Sequence, residues 1–233
     1  MANAAATHIR DRVAEIVGSD RRLAFLSRLA WELVIDVRAY YPAPDTDAYR
    51  TLGQFICLNE LLHNLTSQLR SDLDHGRGGY PDRALVDGVF SKSRAWRCED
   101  SAQQAFREAV ASTTPDASSN GSAGPNAAAS ALLESDQRRV FLAEWFVHLT
   151  LSARAIRPPF DSELAPIVAD FKCLNDLLYL VAEAIRRNVS EPATTTDGAG
   201  FVETLIAAAN AGGCGGSLRY AFERTMAAGA VSA

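Results

Sequence analysis

The sequence predicts an all-α protein, a tandem duplication of a roughly four-helix unit packed with pseudo-two-fold symmetry into a helical bundle. Apolar residues recur at helical spacing along most of the chain. The segment Phe55–Leu69 also returns as Phe171–Ile185, 173 − 57 = 116 positions later. When residues 19–106 are aligned on 135–222 without gaps, about a quarter of the positions are identical. Ordinary residue usage gives roughly 6–8% by chance, so the repeat predicts a duplication.

The predicted helices begin at polar caps and end at proline or glycine. Gly18-Ser19-Asp20 separates a short amphipathic opening segment from the first long helix, which Pro42 ends. In the first copy we expect helices over about 21–41, 46–73 and 100–111, and one that starts at 80–82. In the second copy we expect helices over about 136–157, 162–188, 200–211 and 217–228.

Residues 112–131 are predicted to be a flexible linker between a first helical repeat, 1–111, and a second, 132–233. The segment holds no large apolar residue, so burial cannot offset the entropy of ordering it. A single-copy ancestor would most simply have been a homodimer with an isologous interface. We therefore expect the copies to pack through equivalent faces, giving a pseudo-dimeric monomer or a weak homodimer.

Composition argues against two classes of partner and predicts a location. The chain is 48% hydrophobic and 22% charged, with a net charge of −5. No run of 18 apolar residues occurs, so no membrane span is expected. Without a basic stripe, nucleic-acid binding is not expected either. The beginning of the given sequence lacks the apolar core of a secretory leader, which predicts a cytoplasmic location. Arginine and alanine usage indicates a GC-rich bacterial genome.

Glu60-x-x-His63 has the spacing of a di-iron bundle motif, because positions i and i+3 share one side of a helix. The equivalent residues of the second copy are Asp176 and Tyr179, and tyrosine does not replace histidine in that motif. Both members also point away from the leucine stripe of their helix. We therefore expect a solvated face and no metal, with Glu60 and His63 as weak candidates for metal ligands.

The four cysteines form two equivalent sets, Cys57 with Cys173 and Cys98 with Cys214. Disulfides Cys57–Cys98 and Cys173–Cys214 are conceivable, but a cytoplasmic setting favours buried free thiols. None of the four histidines recurs between the copies, so no thiol has a repeated base beside it, and no catalytic residue is predicted.

Asn59 and Asn175 recur at the edge of an apolar stripe, where leucine or alanine would suit a helix better. A buried amide needs hydrogen bonds, so we expect each to tie its helix to a neighbouring backbone, such as that of the preceding loop. A contact between this amide and a ligand is the functional alternative.

Arg38 and Arg154 lie near helix C-termini, where positive charge suits the helix dipole. Asp45 and Asp161 follow seven positions later, so Arg–Asp pairs that lock the two loops are plausible. Nothing else gathers there to suggest catalysis.

No cofactor is predicted, because the sequence has neither a phosphate-binding loop nor a nucleophile elbow. The favoured function is a non-enzymatic helical interaction module, an adaptor, regulator or assembly factor that binds another protein. Trp31 and Trp145 stand at non-equivalent positions, so we expect them to mark where the halves have specialised, one in a core position and the other in an exposed contact. The alternative is a small-molecule sensor with an apolar pocket between the repeats. A metal or redox enzyme comes third.

Overall fold

A computed structural model describes residues 2–75, 82–114, 125–157, 163–191 and 197–229. Within these ranges the chain is entirely helical, with eleven α-helices and no strand. The helices are α1 (Ala2–Val17), α2 (Arg22–Ala39), α3 (Asp47–Thr51), α4 (Gly53–His75), α5 (Asp82–Ala95), α6 (Glu99–Thr113), α7 (Pro125–Glu134), α8 (Arg138–Ala155), α9 (Ala165–Ser190), α10 (Gly198–Gly212) and α11 (Gly215–Gly229). None of these described helices is both long and apolar enough to cross a membrane.

Local chemistry fixes several of the helix starts. The hydroxyl of Thr46 accepts a hydrogen bond from the Tyr49 amide at 3.2 Å and caps α3. The Asp197 carboxylate accepts from the Gly200 amide at 3.1 Å and caps α10. Pro166 lies in the first turn of α9, where its missing N–H leaves no helical hydrogen bond unmade.

The helices group into two compact units that do not follow the halves of the sequence. Unit 1 consists of Met1–Tyr40 and Asp161–Ala233, and contains α1, α2 and α9–α11. Unit 2 is Tyr41–Phe160 and contains α3–α8. Each unit therefore takes helices from both the first and the second predicted repeat.

In unit 1, α2 packs on α9 and α11, and α1 packs on α10. In unit 2, α8 packs on α4 and α6, and α7 also packs on α8. The core of unit 2 contains an aromatic cluster in which Phe106 lies 5.0 Å from Phe90, 6.0 Å from Phe141 and 5.1 Å from Trp145, between ring centroids. Edge-to-face contacts of this kind add to the stabilisation that burial provides.

Helix boundaries recur at the offset of 116 positions. The helices α2 and α8 begin at Arg22 and Arg138 and have the same length, 18 residues. The helices α6 and α11 also begin 116 positions apart and share a length of 15 residues. The turn before α2 has a Ser19 hydroxyl that donates to the Ile16 carbonyl at 2.7 Å. Ser135 makes the equivalent bond to Leu132 at 2.8 Å.

All four cysteines are paired, so the expectation of free thiols is wrong. Disulfides join Cys57 to Cys98 and Cys173 to Cys214, each across 41 positions, with Cα–Cα distances of 6.2 and 6.1 Å. These distances lie in the range a disulfide requires. Sequence spacing allowed both pairings, and only the assumed compartment argued against them.

Two predicted boundaries also need correction. Part of the predicted linker is helical, because α7 begins at Pro125, while residues 115–124 lie outside the described ranges. Proline suits the first helical position, the alanines that follow favour a helix, and Ala129 is fully buried. The helix predicted over 46–73 is interrupted at Leu52, which separates α3 from α4.

Candidate functional site

Unit 1 contains a small open cleft between α1, α10 and α11, with a volume of about 160 Å³. We call it the apolar cleft. Its lining includes the apolar side chains of Ile9, Ile206, Leu218 and Phe222, with Asn210 and Gly215. Two arginines complete it. Arg10 pairs with Glu203 at 2.5 Å and Arg219 with Glu223 at 3.0 Å, and about half of each arginine side chain is exposed, 53% and 54%.

Glycines and a disulfide hold the walls of the apolar cleft in place. A Cβ at Gly198 would overlap the Ala14 carbonyl oxygen, so α10 and α1 approach more closely than any other residue permits. At the other end of α10, Gly213 has a φ of 84°, the left-handed conformation that favours glycine. The next residue, Cys214, is bonded to Cys173, which fixes the start of α11 on α9.

Unit 2 contains a second cleft between α5 and α6, with a volume of about 480 Å³. We call it the polar cleft. Phe90 and Phe106 line it as an edge-to-face pair. The polar lining is Asp87, Ser91, Arg94, Glu99, Gln103 and Arg107. Gln103 donates to Glu99 Oε1 at 3.0 Å.

The two clefts use equivalent positions of the chain. At the offset of 116, five lining residues of one correspond to five of the other: Phe90 to Ile206, Arg94 to Asn210, Glu99 to Gly215, Gln103 to Arg219 and Phe106 to Phe222. The apolar floor is kept, whereas the remaining positions change in charge and size. The clefts therefore offer different chemistry on similar backbone frames.

The contacts α2–α11 and α6–α8 each join an acidic residue to a basic one at equivalent positions. In unit 1, Arg224 of α11 pairs with Glu32 of α2 at 2.8 Å. In unit 2, Glu108 of α6 lies 2.9 Å from Nδ1 of His148 on α8. The acidic residue lies on α2 in unit 1 and on α6 in unit 2, so the acidic and basic residues have exchanged helices between the two contacts.

The metal candidates Glu60 and His63 lie on the same helix, α4. Glu60 and His63 are half-buried on α4. The Tyr41 hydroxyl donates to Glu60 Oε1 at 3.2 Å, so this carboxylate belongs to a polar contact of the preceding loop. Among the described residues, no three His, Cys, Asp or Glu side chains form a group that could hold a metal ion.

The two asparagines are both buried, 1% and 2% exposed, but they have different partners. Asn59 Nδ2 donates to the hydroxyl of Tyr41 at 2.8 Å, so it ties α4 to the preceding loop through a side chain instead of a backbone group. Asn175 Nδ2 donates to the Phe171 carbonyl of its own helix at 2.9 Å. The equivalent of Tyr41 is Arg157, which is exposed.

The Arg–Asp loop pairs stay predictions. Arg38 and Arg154 are exposed at the ends of α2 and α8. Asp45 is exposed with a φ of 61°, and its carbonyl accepts a hydrogen bond from Arg50 at 3.2 Å. Asp161 lies outside the described residues.

The two tryptophans occupy different environments. Trp145 is fully buried in the aromatic cluster of unit 2, whereas Trp31 is half-buried on α2. The positions that sequence reasoning missed are those of the two clefts, where the repeat alignment pairs charged residues with uncharged ones. A change of charge at aligned positions that lie between matched apolar residues is the sequence signal that could have identified the two clefts.

No protein-family model, curated protein or solved structure matches this chain.

Proposed function

We propose that the chain is a non-enzymatic helical protein-interaction module built from two copies of one four-helix unit. The observation that carries the proposal is the apolar cleft of unit 1. Its volume of about 160 Å³ is close to that of a cavity that holds one benzene-sized group, roughly 150 Å³. It therefore suits a single apolar side chain of a partner, the anchor that dominates many protein interfaces.

The charged residues of the cleft favour a particular partner segment. Arg10 and Arg219 each form an exposed ion pair with a glutamate, and such pairs contribute little to stability. Their guanidinium groups have donors left over for a second carboxylate. We infer a partner peptide that inserts one aromatic or leucine side chain and carries an acidic residue beside it.

The duplication is supported by the shared helix boundaries, the equivalent disulfides and the equivalent turns before α2 and α8. The copies exchange helices, since α2 of the first packs on α9 and α11 of the second. An exchange of this kind fits descent from a dimer in which each subunit completed the core of the other. Pseudo-two-fold symmetry and a pseudo-dimeric monomer or weak homodimer remain part of this proposal.

The disulfides weigh against the predicted cytoplasmic location. Disulfides persist mainly in oxidising compartments and are rare in the cytosol. We propose that the chain works in an oxidising compartment, where both bonds contribute to its stability.

A small-molecule sensor is the second candidate, because the apolar cleft lies between α1 of the first copy and α10 and α11 of the second. Selection of displayed peptides on the immobilised full chain separates the two. The interaction proposal expects enriched peptides with one aromatic or leucine anchor and an adjacent Asp or Glu. Enrichment no better than on a blank surface, together with thermal stabilisation by an apolar metabolite, would favour the sensor.

A further inference from the structure

The polar cleft of unit 2 holds two arginines without an ion-pair partner among the described residues. Arg94 lies in the last turn of α5 and Arg107 on α6, and both side chains are exposed. The described ion pairs of the chain include neither of them. Two guanidinium groups that line one cleft without acidic partners are suited to bind an anion from solution.

The floor of the polar cleft is aromatic. Phe90 is half-buried and Phe106 is buried, and their rings meet edge to face at 5.0 Å with planes 78° apart. Phe141 and Trp145 cover the other sides of Phe106, so a ligand ring can stack only on the exposed part of Phe90. The volume of about 480 Å³ falls in the range of small-molecule sites, about 300–1,000 Å³.

The acidic lining limits the charge of the anion. Asp87 and Glu99 face the same cleft as the two arginines, so the formal charge of these four side chains is zero. Both carboxylates would repel a phosphate dianion. A ligand that carries a single negative charge and is otherwise neutral would be repelled less strongly. The Glu99 carboxylate, which accepts one hydrogen bond from Gln103, can also accept one from a ligand ammonium group.

We propose that the polar cleft binds a small aromatic carboxylate, with its carboxylate on Arg94 and Arg107 and its ring on Phe90. The carboxylate comes from either a simple aryl acid or an aromatic amino acid. This inference goes beyond the interaction function and does not depend on it, since that function uses the apolar cleft of unit 1.

The test is isothermal titration of the full, disulfide-bonded chain with 3-phenylpropanoate, L-phenylalanine and the neutral 3-phenylpropanamide. We expect saturable binding of the carboxylate probes and at least tenfold weaker binding of the amide. The variants Arg94→Gln and Arg107→Gln should each weaken binding about tenfold, because each removes a charge-assisted contact. Both residues are exposed, so the variants should keep the helical circular dichroism of the wild type.

The matched control is Arg187→Gln, an arginine of α9 that is 71% exposed and lines neither cleft. It should bind the probes as the wild type does. If L-phenylalanine binds more tightly than 3-phenylpropanoate and Glu99→Gln removes this difference, the ligand class is aromatic amino acids. If L-phenylalanine binds equally well or more weakly, the ligand class is aryl acids. Either result supports the proposal. No saturable binding up to about 10 mM (a free energy near −3 kcal/mol), or equal binding of the amide, would overturn it.

Discussion

The Arg138 guanidinium donates to the Asp72 carboxylate in the interior of unit 2, where their side chains are only 8% and 2% exposed. Gln68 donates to Asp72 Oδ1 at 2.8 Å, and Arg138 also donates to the Leu133 carbonyl at 3.0 Å. The equivalent of Asp72 in unit 1 is Asn188, an uncharged amide that bonds its own helix. The buried charge pair therefore belongs to only one of the two equivalent sites.

Replacing Asp72 by Asn should lower the free energy of unfolding by about 3–5 kcal/mol, because the Arg138 charge stays buried without its counter-ion. Chemical denaturation monitored by circular dichroism measures the loss. The control is Asp47→Asn, which breaks the exposed pair of Asp47 with Arg50 and should change stability little. Equal effects of the two substitutions would show that Asp72 and Arg138 are solvated.

Each disulfide should contribute about 4 kcal/mol, the loop-closure value for a separation of 41 positions. The paired variants Cys57→Ser/Cys98→Ser and Cys173→Ser/Cys214→Ser should each shift the urea midpoint downward by a similar amount. Mass spectrometry of the wild type should show the loss of one hydrogen from each of its four cysteines. Four titratable thiols in protein folded under oxidising conditions would refute both pairings.

Gly198→Ala should destabilise unit 1 and separate α1 from α10, because the added Cβ would overlap the Ala14 carbonyl oxygen and lie 2.8 Å from the Gly18 nitrogen. We expect a loss of about 1–3 kcal/mol, typical of overpacking, and faster amide exchange in α1. Gly88→Ala is the control, since its Cβ would meet nothing within 4 Å, and it should stabilise α5 slightly. Unchanged exchange in α1 after Gly198→Ala would contradict the close approach.

The buried carboxyl group of Asp36 predicts how the stability of the folded chain changes with pH. Burial raises the pKa of its carboxyl above the ordinary value, although the hydrogen bond and charge of Arg224 act to lower it. A carboxyl whose pKa is higher in the folded state costs stability as pH rises through that pKa. Asp36→Asn should therefore gain stability relative to the wild type between about pH 4 and neutrality. A relative loss over this range, measured by urea denaturation at several pH values, would reverse the sign.

The helices were predictable from the sequence because apolar stripes and caps are local signals. Ser19 and Ser135 marked the turns before α2 and α8 at the positions the structure gives. That each unit draws helices from both predicted repeats was not predictable, since α2 and α8 carry similar apolar stripes at equivalent positions. Local periodicity identifies a buried face without identifying what covers it.

The candidate site was less predictable. Asn59 is buried, and the position equivalent to its partner Tyr41 is occupied by Arg157, so among the described residues this hydrogen bond is specific to unit 2. The clefts depend on where α5 meets α6 and where α10 meets α1, which is a property of packing. Sequence spacing placed Glu60 and His63 on one face, whereas the third ligand that a metal needs is a matter of tertiary structure.

The most direct test of the proposed function is the affinity of a selected peptide for the wild type, Gly215→Leu and Gly216→Leu. Gly215 lines the apolar cleft, where a longer side chain occupies the space of the anchor, whereas Gly216 is exposed and has no atom near its added Cβ. We predict at least tenfold weaker binding by Gly215→Leu and unchanged binding by Gly216→Leu, measured by isothermal titration. Equal affinity of all three proteins would contradict the apolar cleft as the docking site.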